Sequence, residues 1–150
     1  MEWAWKGRWP YEEALVAQRL RREARMRGEV EDVLWMLEHP PVITTGRRKV
    51  EGLVLPEGWS RVETERGGLA TCHEPGQLVG YLVMDASALG ARRLVESLEE
   101  GLIGWLSSQG IRAERRKNFH GVWVGNDKIA ALGLHMDRGF TMHGIAINLC

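Results

Sequence analysis

The sequence predicts an α+β domain, α/β-like in its alternation of elements, built as a mixed β-sheet packed with two helices. Three observations point there. Two long stretches, residues 10–27 and 88–108, place apolar residues at helical spacing. Eight short apolar or alternating runs are bounded by Gly, Pro, Asn and Asp, as strands are. The chain has 150 residues, 44% of them hydrophobic, enough for one core and one domain.

The elements follow in order. Trp3, Trp5 and Trp9 crowd the N-terminus and are expected to anchor an edge strand, with an exposed patch as the other reading. Residues 10–27 form the first helix. Pro10 suits the first turn, Glu12 and Glu13 complement the positive end of the helix dipole, and Ala14, Ala17, Leu20 and Ala24 mark one face before Gly28. "DVLWMLEH" reads as a buried strand ended by Pro40-Pro41, and "VITTGRR" as a strand entering the basic loop Arg47-Arg48-Lys49. Pro56 and Gly58 break residues 50–59, "RVETE" is a short strand, and "QLVGYLVMD" is apolar enough to be central. The second helix spans residues 88–108 with Ser87 as its N-cap; Leu94, Leu98, Leu102, Trp105 and Leu106 face the core, and Gly110 closes it. "IRAERR", "GVWV", "KIAALGLHM" and "FTMHGIAINL" complete the sheet, with hairpin turns at Gly125-Asn126-Asp127 and Asp137-Arg138-Gly139.

Composition narrows the function classes. Twenty basic residues balance twenty acidic ones, so total charge gives no footprint for nucleic acid or a membrane surface. The clusters "RLRREARMR" and "RAERRK" read as a solvated helix face and a polar loop, or as contacts to an acidic partner. No stretch approaches the roughly 20 apolar residues of a membrane-spanning helix. Two cysteines, Cys72 and Cys150, make no disulfide framework, and "MEWAWKGRWP" is no signal peptide, so a cytoplasmic location is expected.

The segment "RGGLATCHEPGQLVGY" concentrates special backbone and reactive side chains before a strand. Gly67-Gly68 reads either as a bulge or as a place where a ligand approaches backbone amides. Lys128, at the start of "IAALGL", is either solvated or a cation held against an apolar wall, able to stabilise a thiolate or an oxyanion. His143 reads as a hydrogen-bonded core residue or a catalyst. Cys72, His73 and His143 lack the spacing of a zinc site, and neighbours on a strand face opposite ways.

These segments resemble the octanoyltransferase family, the lipoyl(octanoyl) transferases of lipoate biosynthesis. The first is similar to R-G-G-x-x-T-Y-H-G-P-G-Q-L-V-x-Y. "GVWVGNDKIAALGLHMDRGFTMHGIAINL" is similar to G-V-W-V, K-I-A-x-x-G and H-G-x-A-x-N, and "LEHPPVITTGRR" to E-H-P-P-V-[YF]-T-x-G-R. Cys72 stands where the family has tyrosine and Glu74 where it has glycine.

The resemblance implies the fold of the biotin/lipoate protein ligase catalytic domain. It implies transfer of an octanoyl group from octanoyl-acyl carrier protein, through a cysteine thioester, to a lysine of lipoyl domains. Those partners are the lipoyl domains of 2-oxoacid dehydrogenase complexes and the glycine cleavage H protein, with no nucleic acid, membrane, metal or nucleotide cofactor. Lys128 matches the family lysine that lowers the cysteine pKa. Arg66, Gly67, Gly68, Leu69, Ala70, Thr71, Cys72 and His73 match one wall of the acyl site; Ala131, Leu132, Gly133, Gly144, Ile145 and Ala146 match other contacts. The family cysteine stands in a P-C-G context past the last strand, beyond Cys150, so the 150-residue domain is expected to lack it and to be inactive alone. The alternatives are a non-catalytic acyl- or lipoyl-domain-binding fragment and an ATP-dependent lipoate ligase, whose motifs look more like S-G-G-G-A-V-Y-H and K-I-S-G-S-A-Q.

Overall fold

The computed structural model describes residues 1–48 and 50–149. The elements are β1 (Glu2–Arg8), α1 (Tyr11–Met26), β2 (Val33–Glu38), β3 (Val42–Thr45), β4 (Ser60–Glu63), β5 (Ala70–His73), β6 (Gln77–Val83), α2 (Ala91–Ser108), β7 (Glu114–Arg116), β8 (Phe119–Val124), β9 (Asp127–Asp137) and β10 (Phe140–Asn148). The strands form two sheets where the sequence suggested one. Seven make a sheet of order β1-β2-β6-β10-β9-β8-β7, and β4-β3-β5 make a smaller one. Among the described residues only β1–β2 and β3–β4 pair in parallel; the other pairings are antiparallel.

Alternation along β6 shows how the large sheet is covered on both faces. Val79, Tyr81 and Val83 join Tyr11, Ala14 and Leu15 of α1, together with Val42 of the small sheet. Leu78 and Leu82 point the other way, toward Leu102, Leu106 and Leu94 of α2. Period-2 side chains therefore supply two cores from one strand, and β6 is buried almost throughout, as a central strand must be.

Several sequence expectations are corrected. On α1 the buried stripe is Tyr11, Ala14, Leu15 and Gln18, the i, i+3, i+4, i+7 set, while Leu20 points to solvent. Trp3 and Trp5 are exposed on the edge strand; only Trp9 anchors, edge-on to Trp35 with ring centroids 5.6 Å apart. Helix α2 starts three residues late. A bridge between Asp85 and Phe140, and the Ala86 N–H on the Gly139 carbonyl, hold the chain extended past β6. The turn that follows ends at Gly90 in the left-handed region, so Ser87 is not the N-cap. Trp105 is exposed, and β7 is confined to three residues because Ile111 N–H still bonds the Leu106 carbonyl of α2. The basic loop's Lys49 lies outside the described residues, as does Cys150. Among the described residues no helix is long and apolar enough to cross a membrane.

Close backbone approach sets the middle of the large sheet. Gly144 pairs with both Gly133 and Tyr81, and a Cβ at Gly144 would lie 2.1 Å from the Gly80 carbonyl oxygen. A Cβ at Gly80 would instead meet the Ile145 side chain at 3.0 Å, which can move. We expect Gly144→Ala to cost more than about 3 kcal/mol, beyond ordinary overpacking, and Gly80→Ala less than half of that. Urea midpoints of the two variants provide the comparison.

Candidate active site

The site forms where β8 and β9 part. Their pairing joins Val124 to Asp127, Trp123 to Lys128 and, after a register shift, Val122 to Ala130. Phe119 pairs instead with Arg116 of β7. Farther along β9, its edge is met by the glycine loop after Arg66, where Gly67 N–H donates to the Leu134 carbonyl at 3.1 Å. Two glycines elsewhere allow this approach. A Cβ at Gly133 would come within 3.1 Å of Arg66 Cδ, and one at Gly46 within 2.6 Å of the Gly68 carbonyl oxygen.

Arg66 is only 6% exposed. Its Nη2 donates to the Thr44 carbonyl and to Thr44 Oγ1, both at 2.9 Å, and Nη1 donates to the Gly67 carbonyl at 2.9 Å. Burial draws its pKa down, opposed by Tyr11 and Tyr81. The guanidinium thus ties the small sheet to the glycine loop while its stem lies over Gly133.

A cleft of about 810 Å³ opens beside this junction. Arg66, Gly67, Gly68, Leu69, Ala70, Thr71 and Cys72 line one side; Lys128, Ala131, Leu132, Gly133 and Ala146 line the other. Cys72 is a free, exposed thiol there, while His73 turns into the core as alternation along β5 requires. His73, Gly144 and Ile145 border a second cavity of about 30 Å³ that shares Arg66, Thr71, Ala131, Leu132, Gly133 and Ala146 with the cleft. The small cavity holds about one water, so a medium-length chain requires the larger cleft.

Behind the cleft lies a buried polar layer. His39 Nδ1–H donates to the Trp9 carbonyl at 2.6 Å, which leaves Nε2 to accept from the Tyr81 hydroxyl at 2.6 Å. His73 Nδ1–H donates to Gln77 Oε1 at 2.6 Å, and its Nε2 faces Thr44 Oγ1 at 3.3 Å. From that layer Gln77 Nε2 donates to Oδ1 of Asn148, an exposed residue of the cleft lining, at 2.9 Å, and Asn148 Nδ2 donates to the Lys128 carbonyl at 3.2 Å. One chain of amides therefore joins all three sequence segments. His143 is buried; its Nε2 stands 3.9 Å from Glu65 Oε2, an ion pair only when the ring is protonated, and its backbone N–H donates to Gln18 Oε1 at 2.8 Å. Burial lowers the His143 pKa, against the pull of Glu65. The Glu65 carboxyl is held well below the usual carboxylate range by His143 first and by Arg19 next, against its burial.

Lys128 stands at the cleft wall. Its Nζ donates to the His120 carbonyl at 2.8 Å and lies 5.1 Å from the centroid of the Trp123 ring. Burial lowers its pKa, with Glu99 opposing. A lysine so placed is a fixed cation at the edge of a partly apolar cleft, suited to lowering the pKa of a thiol or steadying an oxyanion.

The family model of the lipoyl protein ligase A/B catalytic domain matches residues 9–150. The chain belongs to that family. An octanoyltransferase from Alkaliphilus metalliredigens (strain QYMF) is 45% identical, the match covering 95% of this chain and 70% of the relative. The chain spans about two thirds of the length of this relative and of the octanoyltransferases of Pseudomonas entomophila (strain L48) and Halorhodospira halophila (strain DSM 244 / SL1), which as octanoyltransferases are acyltransferases. A solved lipoate-protein ligase A bound with ATP superposes with a TM-score of 0.73 at 18% identity, over 99% of this chain and 67% of that one. The bipartite lipoate protein ligase of Thermoplasma acidophilum, studied with its E2 lipoyl domain, gives 0.70 at 16% identity, over 99% and 62%. These two likenesses establish a shared fold.

Sequence reasoning missed Thr44, Asn148, Glu99 and His120 as parts of the site's frame. Asn148 stood in the quoted H-G-x-A-x-N segment, and Glu99 is a carboxylate set within a leucine stripe, a readable signal. Thr44 likewise stood in the quoted V-[YF]-T-x-G-R segment, while His120 carried no signal, because it acts through its main-chain oxygen.

The neutral histidines make stability pH-dependent. Burial pushes His39 and His73 down to about 4 from the usual 6.5. Between these values the unfolded chain binds more protons than the folded one, so stability is full above pH 6.5 and falls as pH drops toward 4. The midpoint of thermal unfolding is expected to decline through that window, and His73→Gln to flatten the decline; calorimetry from pH 7 to 4 measures both.

Proposed function

We propose that this domain transfers an octanoyl group from octanoyl-acyl carrier protein to a lysine of lipoyl domains, those of 2-oxoacid dehydrogenase complexes and the glycine cleavage H protein. The single observation that carries the reading is the fixed ammonium of Lys128 in the wall of the cleft that the Arg66–Gly67–Gly68 loop closes. In this reading the acyl chain lies in the cleft against Leu69, Ala131, Leu132 and Ala146, each buried methylene contributing about 0.8 kcal/mol before the costs of binding. The thioester carbonyl points toward the backbone amides of the glycine loop. Lys128 lowers the pKa of the nucleophilic cysteine, which the family pattern sets in a P-C-G context beyond Cys150. The thiolate attacks the donor thioester and the carrier leaves as its thiol; the lysine amine of the lipoyl domain then attacks the enzyme thioester, forms the amide, loses a proton and releases the cysteine.

The test is octanoyl transfer to a lipoyl domain, read by mass shift, with a chain that carries the P-C-G segment. Lys128→Ala should lower transfer by about 100-fold, the scale of losing one preorganised charge. Acetyl donors should be used at least about 10-fold less well than octanoyl donors, given the methylenes they leave unburied. Lys128-dependent turnover by residues 1–150 alone would move the nucleophile to Cys72 or Cys150, and Cys72→Ser and Cys150→Ser would tell which. Transfer unaffected by Lys128→Ala would overturn the role given to Lys128, and no transfer by the chain that carries the P-C-G segment would overturn the reading itself.

A further inference from the structure

Glu99 has no role in the chemistry above, yet it is a carboxylate on α2 that is only 4% exposed. Its Oε1 accepts the Gly121 N–H at 2.8 Å. The other end of the same peptide group, the His120 carbonyl, accepts from Lys128 Nζ at 2.8 Å. One amide is thereby held between an anion on its N–H side and a cation on its C=O side, an arrangement in which each hydrogen bond polarises the other.

The residue at position 121 is fixed by the same geometry. Gly121 has φ +128°, where side chains are rarely tolerated, and a Cβ there would lie 2.6 Å from the Ala130 carbonyl oxygen and 2.9 Å from Lys128 Cε. The stem of Lys128 runs through the space a side chain would occupy.

We propose that Glu99 is a positioning residue for Lys128, acting through the His120–Gly121 peptide to fix the ammonium at the cleft wall. This rests on the reading that Lys128 is the activating group. The carboxylate stabilises the charged form of the lysine from a distance while the peptide sets its direction. The other charged or titratable groups around the pair are Arg115, whose Nε is 3.5 Å from Glu99 Oε2; the His120 ring, 3.7 Å from Glu99 Oε1; and Arg116, stacked 4.4 Å from the centroid of the Trp123 ring that Lys128 also faces. Glu100, whose Oε2 is 3.5 Å from Arg115 Nη2, shares that arginine, and Glu99 is the carboxylate that reaches the peptide facing Lys128.

The experiment measures Lys128 itself and needs no turnover. The protein is labelled with a limiting amine-reactive ester from pH 7 to 11, and labelling of Lys128 is followed by peptide mass spectrometry against Lys6 as the internal reference. Glu99→Gln keeps an oxygen for the Gly121 N–H but removes the charge. At pH 8 it should raise Lys128 labelling about 3- to 10-fold over Lys6, the effect of losing one nearby opposite charge on the free-amine fraction. Glu12→Gln, an exposed carboxylate on α1, should change nothing. Unchanged Lys128 labelling in Glu99→Gln would overturn the proposal. If that variant does not fold, the unmodified protein decides the matter: the Gly121 amide proton should resonate far downfield and shift as Lys128 titrates, and an amide insensitive to that titration would overturn it. Failure of the reading on which this rests is separate: transfer that survives Lys128→Ala would remove Lys128 as the activating group while leaving its labelling response to Glu99→Gln intact.

Discussion

A buried guanidinium holds the two sheets of this domain in register. Arg66 leaves the glycine loop, crosses Gly133 of β9 and donates to both oxygens of Thr44 in β3. A charge taken out of water is costly unless it is fully hydrogen-bonded, and the acceptors named here are neutral oxygens fixed by sheet geometry. Every neighbour must therefore keep its place: Gly46 and Gly133 without side chains, Thr44 with its hydroxyl inward, the Gly67 carbonyl turned back toward Nη1. The wall of the cleft follows from that one group, because the loop it anchors is the loop that borders the cleft.

The second constraint is polar satisfaction behind that wall. Gln77 sits at the start of β6 and Asn148 at the end of β10, and their side-chain amides carry hydrogen bonding from His73 to the main chain of Lys128. These donors find their acceptors only if three strands from distant parts of the chain stand in one register. His39 and His73 stay neutral in this layer, while Lys128, nearer the cleft, keeps a carbonyl and an aromatic face as partners. In the proposed reading the acyl chain meets a wall backed by neutral histidines and the buried Arg66, with its reactive carbonyl toward the cation at the rim. The same fold in a lipoate-protein ligase bound with ATP indicates that the scaffold accommodates more than one chemistry, so the distinction rests on the local segments.

Much of this was legible in the residues. Helical spacing located α1 and α2, alternation located the central strand, and Gly67-Gly68, Cys72 and Lys128 could be singled out as candidate site residues before any coordinates. Legibility failed where partners come from elsewhere in the chain. The exposed Leu20 and Trp105 look apolar and inward in sequence, but Gln18 takes the interior position on α1 because the His143 N–H needs an acceptor there. The late start of α2 is set by a bridge to Phe140, far along the chain, which no local propensity encodes.

The sequence by itself determined the class of fold, the positions of most elements and the family to which the chain belongs, because periodicity, turn residues and spaced motifs are local properties of the string. Only the tertiary structure decided that β3, β4 and β5 form a separate sheet, that the small cavity is too small for an acyl chain, and that Glu99 reaches Lys128 through one peptide. Those outcomes depend on which backbone groups are left to be satisfied once the strands have paired. That choice is made by hydrogen bonding and packing across the whole domain, between residues that carry no mark of one another in sequence.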